Sequence, residues 1–345
     1  MSLPFHLVGF PRLPEHHSVA RHPAPDRARH AWNVPILGIP TRFESNTAAV
    51  LAVAREALGP WQAAPVDGAA RDGQVVIRVD VTEHDPETVN ASPGPLRYRL
   101  DGRRVTVTGA GVRGVADAAA RRAEAQVSTA VLAAVEHFRY GVLESLTLFI
   151  LSDLDRQPLH AAAVARDGAV ALLVGSAGVG KSTLAYAALR AGFRVFAEDI
   201  VWLQQRPGLR VWGLASRIHL PAHAGRHFPE LAGRPLALVA AGEPKLVVPL
   251  SPEHRPVEPF ASRVGVCLVD RALNGTATLE PASPEAVRRR LAPSEPGFLR
   301  FAETIGPALD ALAVPGGWCL TLSPRPDDAI PLLRAVLDAI AARPR

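Results

Sequence analysis

From about residue 35 the chain carries a readable pattern of apolar and polar positions. Residues 36–39 and 41–43 read as extended. Ser45 and Asn46 predict the cap of a helix running through Ala57, which Gly59 and Pro60 end. Residues 74–81 alternate in part, as a half-buried strand does. Residues 96–100 and 105–108 flank Asp101-Gly102 and predict a hairpin. Together these elements predict a small α+β unit with a meander-like sheet. Residues 116–151 read as mostly helix, and a helix over 130–154 is expected to bridge to the second half. There, residues 160–164 turn at Arg166, Asp167 and Gly168 and return as residues 169–174, an antiparallel hairpin. Further strands are expected at 193–197, 217–220, 245–250, 264–269 and 318–322. Helices are expected at 284–291 and 327–342, the latter amphipathic through Ile330, Leu333, Val336, Leu337 and Ile340. Residues 297–312 are helix-like, with a break expected at Gly306-Pro307. The fold class read from this is α/β in two domains. Residues 1–34 form a flexible arm, 35–125 a small α+β domain, 126–156 a helical connection and 157–345 a larger α/β domain.

The hairpin delivers the chain into Gly175, Ser176, Ala177, Gly178, Val179, Gly180, Lys181, Ser182 and Thr183. This is G-x-x-x-x-G-K-S, the phosphate-gripping P-loop, and it falls between a strand and a helix, the context it needs. The glycines let successive backbone N–H groups face one anion, and the helix start adds its positive end. Lys181 supplies a mobile charge for β and γ phosphates, and the Ser182 hydroxyl can face Mg²⁺. Beyond that helix, residues 193–197 end in Glu198 and Asp199. Two acids at a strand's end beside a P-loop suit Mg²⁺ binding and general-base work.

Composition changes this picture little. The chain has 345 residues, 48% apolar and 21% charged, which suits a globular protein with two ordinary cores. Its 38 basic side chains are 36 Arg and two Lys, Lys181 and Lys245. Where Arg stands almost everywhere else, the two lysines mark places where a guanidinium is a poor substitute. A net charge of +5 is mild, and the Arg288–Arg290 run sits on an expected helix face, so no nucleic-acid partner is predicted. The apolar runs are too short to span a bilayer, no secretory leader is apparent, and Cys267 and Cys319 read as reduced core thiols. The expected location is the cytoplasm, without a membrane partner.

His160, the hairpin, the P-loop, and Glu198 and Asp199 with Val201 in step resemble the HPr serine kinase/phosphorylase family, and more closely its HPr-kinase-like ATP-binding relatives. The matched stretch runs from about 158 to 204. The resemblance implies a P-loop kinase domain related to phosphoenolpyruvate carboxykinase, using ATP and Mg²⁺. It implies a serine-type hydroxyl as acceptor, on a protein, a peptide or a small molecule. It also implies Glu198 as the base, Asp199 with Ser182 on Mg²⁺, and His160 near the transferred phosphate. From the residues alone the roles of Glu198 and Asp199 are not separated. Relatives of this kind are often oligomeric and also serve peptide-modification pathways, so a homo-oligomer and a ribosomal peptide acceptor are expectations. The first acid is Glu where that family usually has Asp. The family's Glu-Ile/Val-Arg-Gly-Leu-Gly segment is missing; the nearest text is residues 211–219, so phosphorylase activity is not expected. The alternative is an ATP-binding regulatory or scaffold protein of the same fold that transfers no phosphate.

Other candidates carry less. Gly109, Gly111 and Gly114 spell G-x-G-x-x-G, but no second strand ending in an acid follows at dinucleotide-site spacing, so a plain turn is expected. The five histidines in residues 1–34 follow no ligand pattern. His219, His223 and His227 recur every four residues like helical zinc ligands, but Pro221 and Gly225 interrupt them, so no metal is expected there. Arg217 and Lys245 are candidates to reach the nucleotide or the acceptor.

Overall fold

The computed structural model describes residues 29–66, 73–82, 94–213, 215–238, 244–272, 275–293 and 302–343. Strands β1 (His30–Ile36) and β2 (Ile39–Ser45) pair around Leu37-Gly38, and both alternate buried with more exposed positions, the mark of a one-sided strand. Helix α1 (Ala48–Leu58) is capped by Thr47, whose side chain accepts from the Ala49 N–H. Asn46, expected at the cap, instead exchanges two hydrogen bonds with the Val81 backbone of β3 (Val75–Thr82). β4 (Arg97–Asp101), β5 (Arg104–Gly109), β6 (Val112–Asp117) and β7 (Arg122–Ser128) complete a sheet of order β1-β2-β3-β7-β6-β5-β4. β2, β3 and β7 run parallel; the other pairs are antiparallel.

Three expectations are corrected here. The strand β1 takes in His30 to Val34, the last part of the expected arm; residues 1–28 lie outside the described residues. Residues 116–128 are strand and turn rather than helix. Their alanines favour helix on propensity, but the burial of Arg122–Ser128 alternates, and pairing with β3 and β6 decides the outcome. The Gly109–Gly114 stretch covers the end of β5, the turn at 110–111 and the start of β6, with no dinucleotide-site crossover after it. A Cβ on Gly111, which has φ +66°, would sit 2.3 Å from Ser128 Oγ. Residues 302–313 form one helix through Pro307, because Ile305, Ala308, Leu309 and Leu312 are buried on one face and that burial outweighs the lost hydrogen bond. The start of that expected helix, residues 297–301, is outside the described residues.

The bridging segment begins at Thr129. It comprises α2 (Thr129–Ala133), α3 (Val135–Phe138), a π-helical turn Arg139–Glu144 and α4 (Ser145–Ser152). Phe138, Val142, Leu146 and Ile150 pack it onto the first sheet.

Beyond it come β8 (Gln157–His160), β9 (Ala162–Arg166), β10 (Ala169–Val174), α5 (Lys181–Arg190), β11 (Arg194–Ala197), β12 (Ile200–Gln204) and β13 (Arg210–Trp212). They are followed by β14 (Arg217–Pro221), β15 (Leu236–Leu238), β16 (Pro244–Pro249), β17 (Phe260–Ala261), β18 (Val264–Arg271) and β19 (Thr278–Ala282). The chain ends with α6 (Pro284–Leu291), α7 (Ala302–Ala313), β20 (Gly317–Leu322) and α8 (Ile330–Ala341). Among the described residues these strands make sheets of order β11-β9-β10-β18-β20-β19, β17-β13-β12-β8 and β14-β16-β15. The result is a mixed α/β fold with several sheets.

β10 is antiparallel to β9, as the sequence predicts, and parallel to β18 on its other side. Every residue of β10 is buried, as expected for a strand covered on both faces. Ala171 and Leu173 face the cluster of α5 and α8; Val170, Leu172 and Val174 face that of α6 and α7. The first sheet's core also takes in Trp202 and Trp212 of β12 and β13. Gly38 (φ +75°) leaves room for Trp212, whose ring lies 2.8 Å from where a Cβ would be. Arg156 spans the same junction: its Nε donates to the Leu37 carbonyl at 2.8 Å, and its guanidinium lies 5.2 Å from the Trp212 ring centre. Cys267 and Cys319 are free thiols on the adjacent strands β18 and β20. No helix among the described residues is long and apolar enough to cross a membrane.

Candidate active site

The loop after β10 has the geometry of an anion cradle. Gly178 (φ +78°) and Gly180 (φ +116°) take left-handed backbone that other residues resist, and α5 starts immediately at Lys181. At Gly175 a Cβ would meet the Val269 carbonyl oxygen of β18 at 2.6 Å, so only glycine lets the loop leave the sheet there. Ser176, Ala177 and Gly178 form the exposed tip. Lys181 is buried and folds back on the loop, its Nζ donating to the carbonyls of Gly175 at 2.8 Å and Ser176 at 3.1 Å.

The acidic pair reaches this loop through sheet pairing. β11 runs antiparallel to β9 with an irregularity between Val195 and Ala197, and Glu198 follows directly at its end. Glu198 Oε1 accepts the Ser182 hydroxyl at 3.1 Å. Its Oε2 lies 3.1 Å from Nδ1 of His219, a residue with a side chain 2% exposed. Burial by itself would raise the Glu198 carboxyl; the His219 ring and the Ser182 hydroxyl outweigh it and hold the group below the usual carboxylate range. Asp199 goes the other way: burial first, then the charge of Glu198, push it up.

His160 stands opposite Ile200 in the β8–β12 pairing, which sets it beside Asp199, and its Nδ1 is 3.6 Å from Asp199 Oδ1. The Asp199 carbonyl accepts from the Ala161 N–H at 3.0 Å, fixing the same corner. Burial and the charge of Lys181 lower His160 to about 3, so its ring is neutral at neutral pH.

The structure therefore brings Lys181, Ser182, Glu198, Asp199 and His160 to one place. It takes Arg217 elsewhere: that side chain pairs with Glu136 and, at 3.2 Å, with Glu56. Lys245 lies in β16 opposite Pro221 and Ala237, and among the described residues no hydrogen bond or ion pair joins it to the loop. His223 and His227 lie in and just after the 3₁₀ turn Ala222–Arg226, and no group of three or more His, Cys, Asp or Glu among the described residues could hold a metal.

Three residues of this site escape the sequence reading. His219 is one; its spacing from His223 and His227 suggests only a zinc ligand. Tyr140 is another, its hydroxyl 3.1 Å from His219 Nε2. The third is Arg271, at the end of β18, whose Nε donates to the Val179 carbonyl at 3.1 Å. A signal for Arg271 existed. It lies two residues past the apolar run 264–269 expected to be a core strand, and the carboxyl ends of parallel strands gather ligand sites. Nothing local in the sequence pairs Tyr140 with His219.

No protein-family profile matches the chain, and no curated protein matches it. Among solved structures, a similar chain is the HPr(Ser) kinase/phosphatase from Coxiella burnetii. It is 16% identical with a TM-score of 0.26, over 53% of this chain and 89% of that one. At that score the likeness carries no argument about activity.

Proposed function

We propose that this protein is an ATP-dependent phosphotransferase acting on a hydroxyl group, with its centre at the P-loop and the acidic pair. The observation that carries the reading is the contact of Ser182 with Glu198, which joins the first turn of the P-loop helix to a buried carboxylate pair. A bare phosphate-binding loop needs no such pair, since two acids close to a polyphosphate oppose its binding unless a cation or a transferable proton offsets them.

Mg²⁺ fits these residues. It takes one or two carboxylates plus substrate phosphates and waters rather than a full protein cage, and a cage is what the described residues lack. Ser182 and Glu198 would hold it, and when bound it would neutralise charge on the β and γ phosphate oxygens. This reverses the division of roles that the family resemblance implies. Glu198 has both oxygens accepting hydrogen bonds and stays ionised, which suits a cation's neighbour. Asp199 is raised, which suits a base working near neutral pH.

In the reaction the acceptor oxygen attacks the γ phosphorus. The new P–O bond forms as the bond to the β,γ-bridging oxygen breaks; the electron pair leaves on ADP and the hydroxyl proton passes to Asp199. Lys181 leaves its loop carbonyls for the β and γ phosphates, and the start of α5 adds its positive end to the same charge. Arg271, beside the loop, is placed to meet the polyphosphate as well. His160, neutral and 3.6 Å from Asp199, lies near the transferred group.

The test is incubation with γ-labelled ATP, Mg²⁺ and candidate acceptors, including serine peptides and small hydroxy compounds. Label transfer that is lost in Asp199→Asn supports the reading. Tight ATP binding with no transfer to any acceptor, and none to water, supports the scaffold alternative.

A further inference from the structure

Behind Glu198 stands a chain of two side chains from distant parts of the fold. His219 Nδ1 faces Glu198 Oε2 at 3.1 Å, and the Tyr140 hydroxyl faces His219 Nε2 at 3.1 Å. We infer that His219 and Tyr140 are positioning residues that fix the Glu198 carboxylate against Ser182, so that the helical segment between the two halves is part of the active centre.

The direction of the chain follows from what each group can do. An ionised carboxylate only accepts, so Nδ1 carries the proton and donates to Glu198. In the Nδ1–H tautomer Nε2 accepts, and the Tyr140 O–H donates to it. Tyr140 is equally constrained. Its backbone lies in the π-helical turn Arg139–Glu144, a form of helix that often re-aims side chains at functional sites. The Arg139 guanidinium lies 5.0 Å from the centre of its ring and is itself held by Glu144 at 2.5 Å and Ser216 at 2.8 Å. The tyrosine and histidine rings meet edge to face, centroids 5.4 Å apart. Each oxygen of Glu198 thus has one fixed donor, and its rotamer is set before any ligand arrives. Hydrogen bonds of this kind behind a metal-facing carboxylate usually orient it and tune its affinity.

Two measurements on the full chain test this, and only the second rests on the phosphotransferase reading. In protein labelled with ¹⁵N-histidine, two-bond ¹H–¹⁵N correlation reads the tautomer of His219, assigned by its absence from His219→Asn. The expected state is Nδ1–H in the wild type, with the pattern altered in Tyr140→Phe. An Nε2–H ring in the wild type, or a signal indifferent to Tyr140→Phe, overturns the chain.

The second measurement titrates Mg²⁺ against binding of a fluorescent ATP analogue. His219→Ala should weaken the Mg²⁺ dependence roughly 10–100-fold. His219→Asn, which keeps an N–H near the Nδ1 position, should recover most of the loss and also guards against an unfolded alanine variant. Wild-type Mg²⁺ dependence in a folded His219→Ala overturns the inference. A wild-type protein that binds no Mg·ATP overturns the kinase reading and the positioning role together, while the tautomer still decides whether the chain exists.

Discussion

Ser182, in the first turn of the P-loop helix, and Glu198, just past the end of the neighbouring strand, share a hydrogen bond of 3.1 Å. The contact ties the loop that would hold a triphosphate to the carboxylates that would face its outermost group. Most of what the site can do depends on this junction.

Lys181 is the group with most to lose by replacement. It is buried, and its charge is the one mobile cation in the loop itself. Lys181→Met should lower phosphoryl transfer roughly 10²–10³-fold, the cost of removing one preorganised donor from a developing charge. Steady-state rates with γ-labelled ATP check this, with circular dichroism confirming an intact fold.

Asp199→Asn should make the protein more stable while lowering its activity roughly 10²-fold or more. The Asp199 carboxyl titrates above its unfolded value because of burial and the charge of Glu198. The folded state therefore pays a penalty once the unfolded chain has released that proton. Below the ordinary Asp range the penalty is absent; it grows as pH rises toward the raised pKa and is constant above it. Removing the charge should stabilise the nucleotide-free, metal-free protein by roughly 1–3 kcal/mol near pH 8 and by little near pH 3.5. Urea melts of both proteins at the two pH values give the comparison. An equal gain at both would contradict the assigned cause.

Gly180→Ala should impair nucleotide binding. The residue has φ +116°, and the added Cβ would fall 2.6 Å from the Arg271 guanidinium. Strained backbone of this kind costs roughly 1–3 kcal/mol, which the loop can relieve only by leaving its cradle shape. ATP affinity should fall, by calorimetry, about tenfold or more.

Arg217 belongs to a different account. Its side chain is 10% exposed and is held by Glu136 and Glu56. Arg217→Met takes one cation from the half-buried Glu136 and should cost roughly 1–3 kcal/mol of stability. ATP affinity of the folded protein should stay within a factor of about three, because that change is only ~0.6 kcal/mol. A variant of normal stability with lost nucleotide binding would restore the sequence-based expectation that Arg217 reaches the ligand.

What was legible in the sequence is local. The P-loop is a contiguous motif whose glycines and lysine serve the same backbone turn, so its position and its strand–loop–helix setting follow directly. The β9–β10 hairpin and the acids at the end of β11 are legible for the same reason, each lying within a few residues of its turn signal. Arg122–Ser128 was not, because alanine-rich text favours helix and only the neighbouring strands make it a strand. Tyr140 and His219 were not, because they are 79 residues apart and meet only after two sheets and a helical segment have packed. Arg217 is not legible for a related reason: charge on a strand does not say which acid, here Glu136, the fold brings to it.

The most direct measurement is loss of the γ-phosphate from Mg·ATP at saturating nucleotide, comparing wild type with Asp199→Asn under equal occupancy. The account predicts slow turnover to water in the wild type, accelerated by a hydroxyl acceptor, and a loss of roughly 10²-fold or more in the variant with ATP still bound. A wild type that binds ATP without ever releasing its γ-phosphate, and that the variant matches, would contradict it.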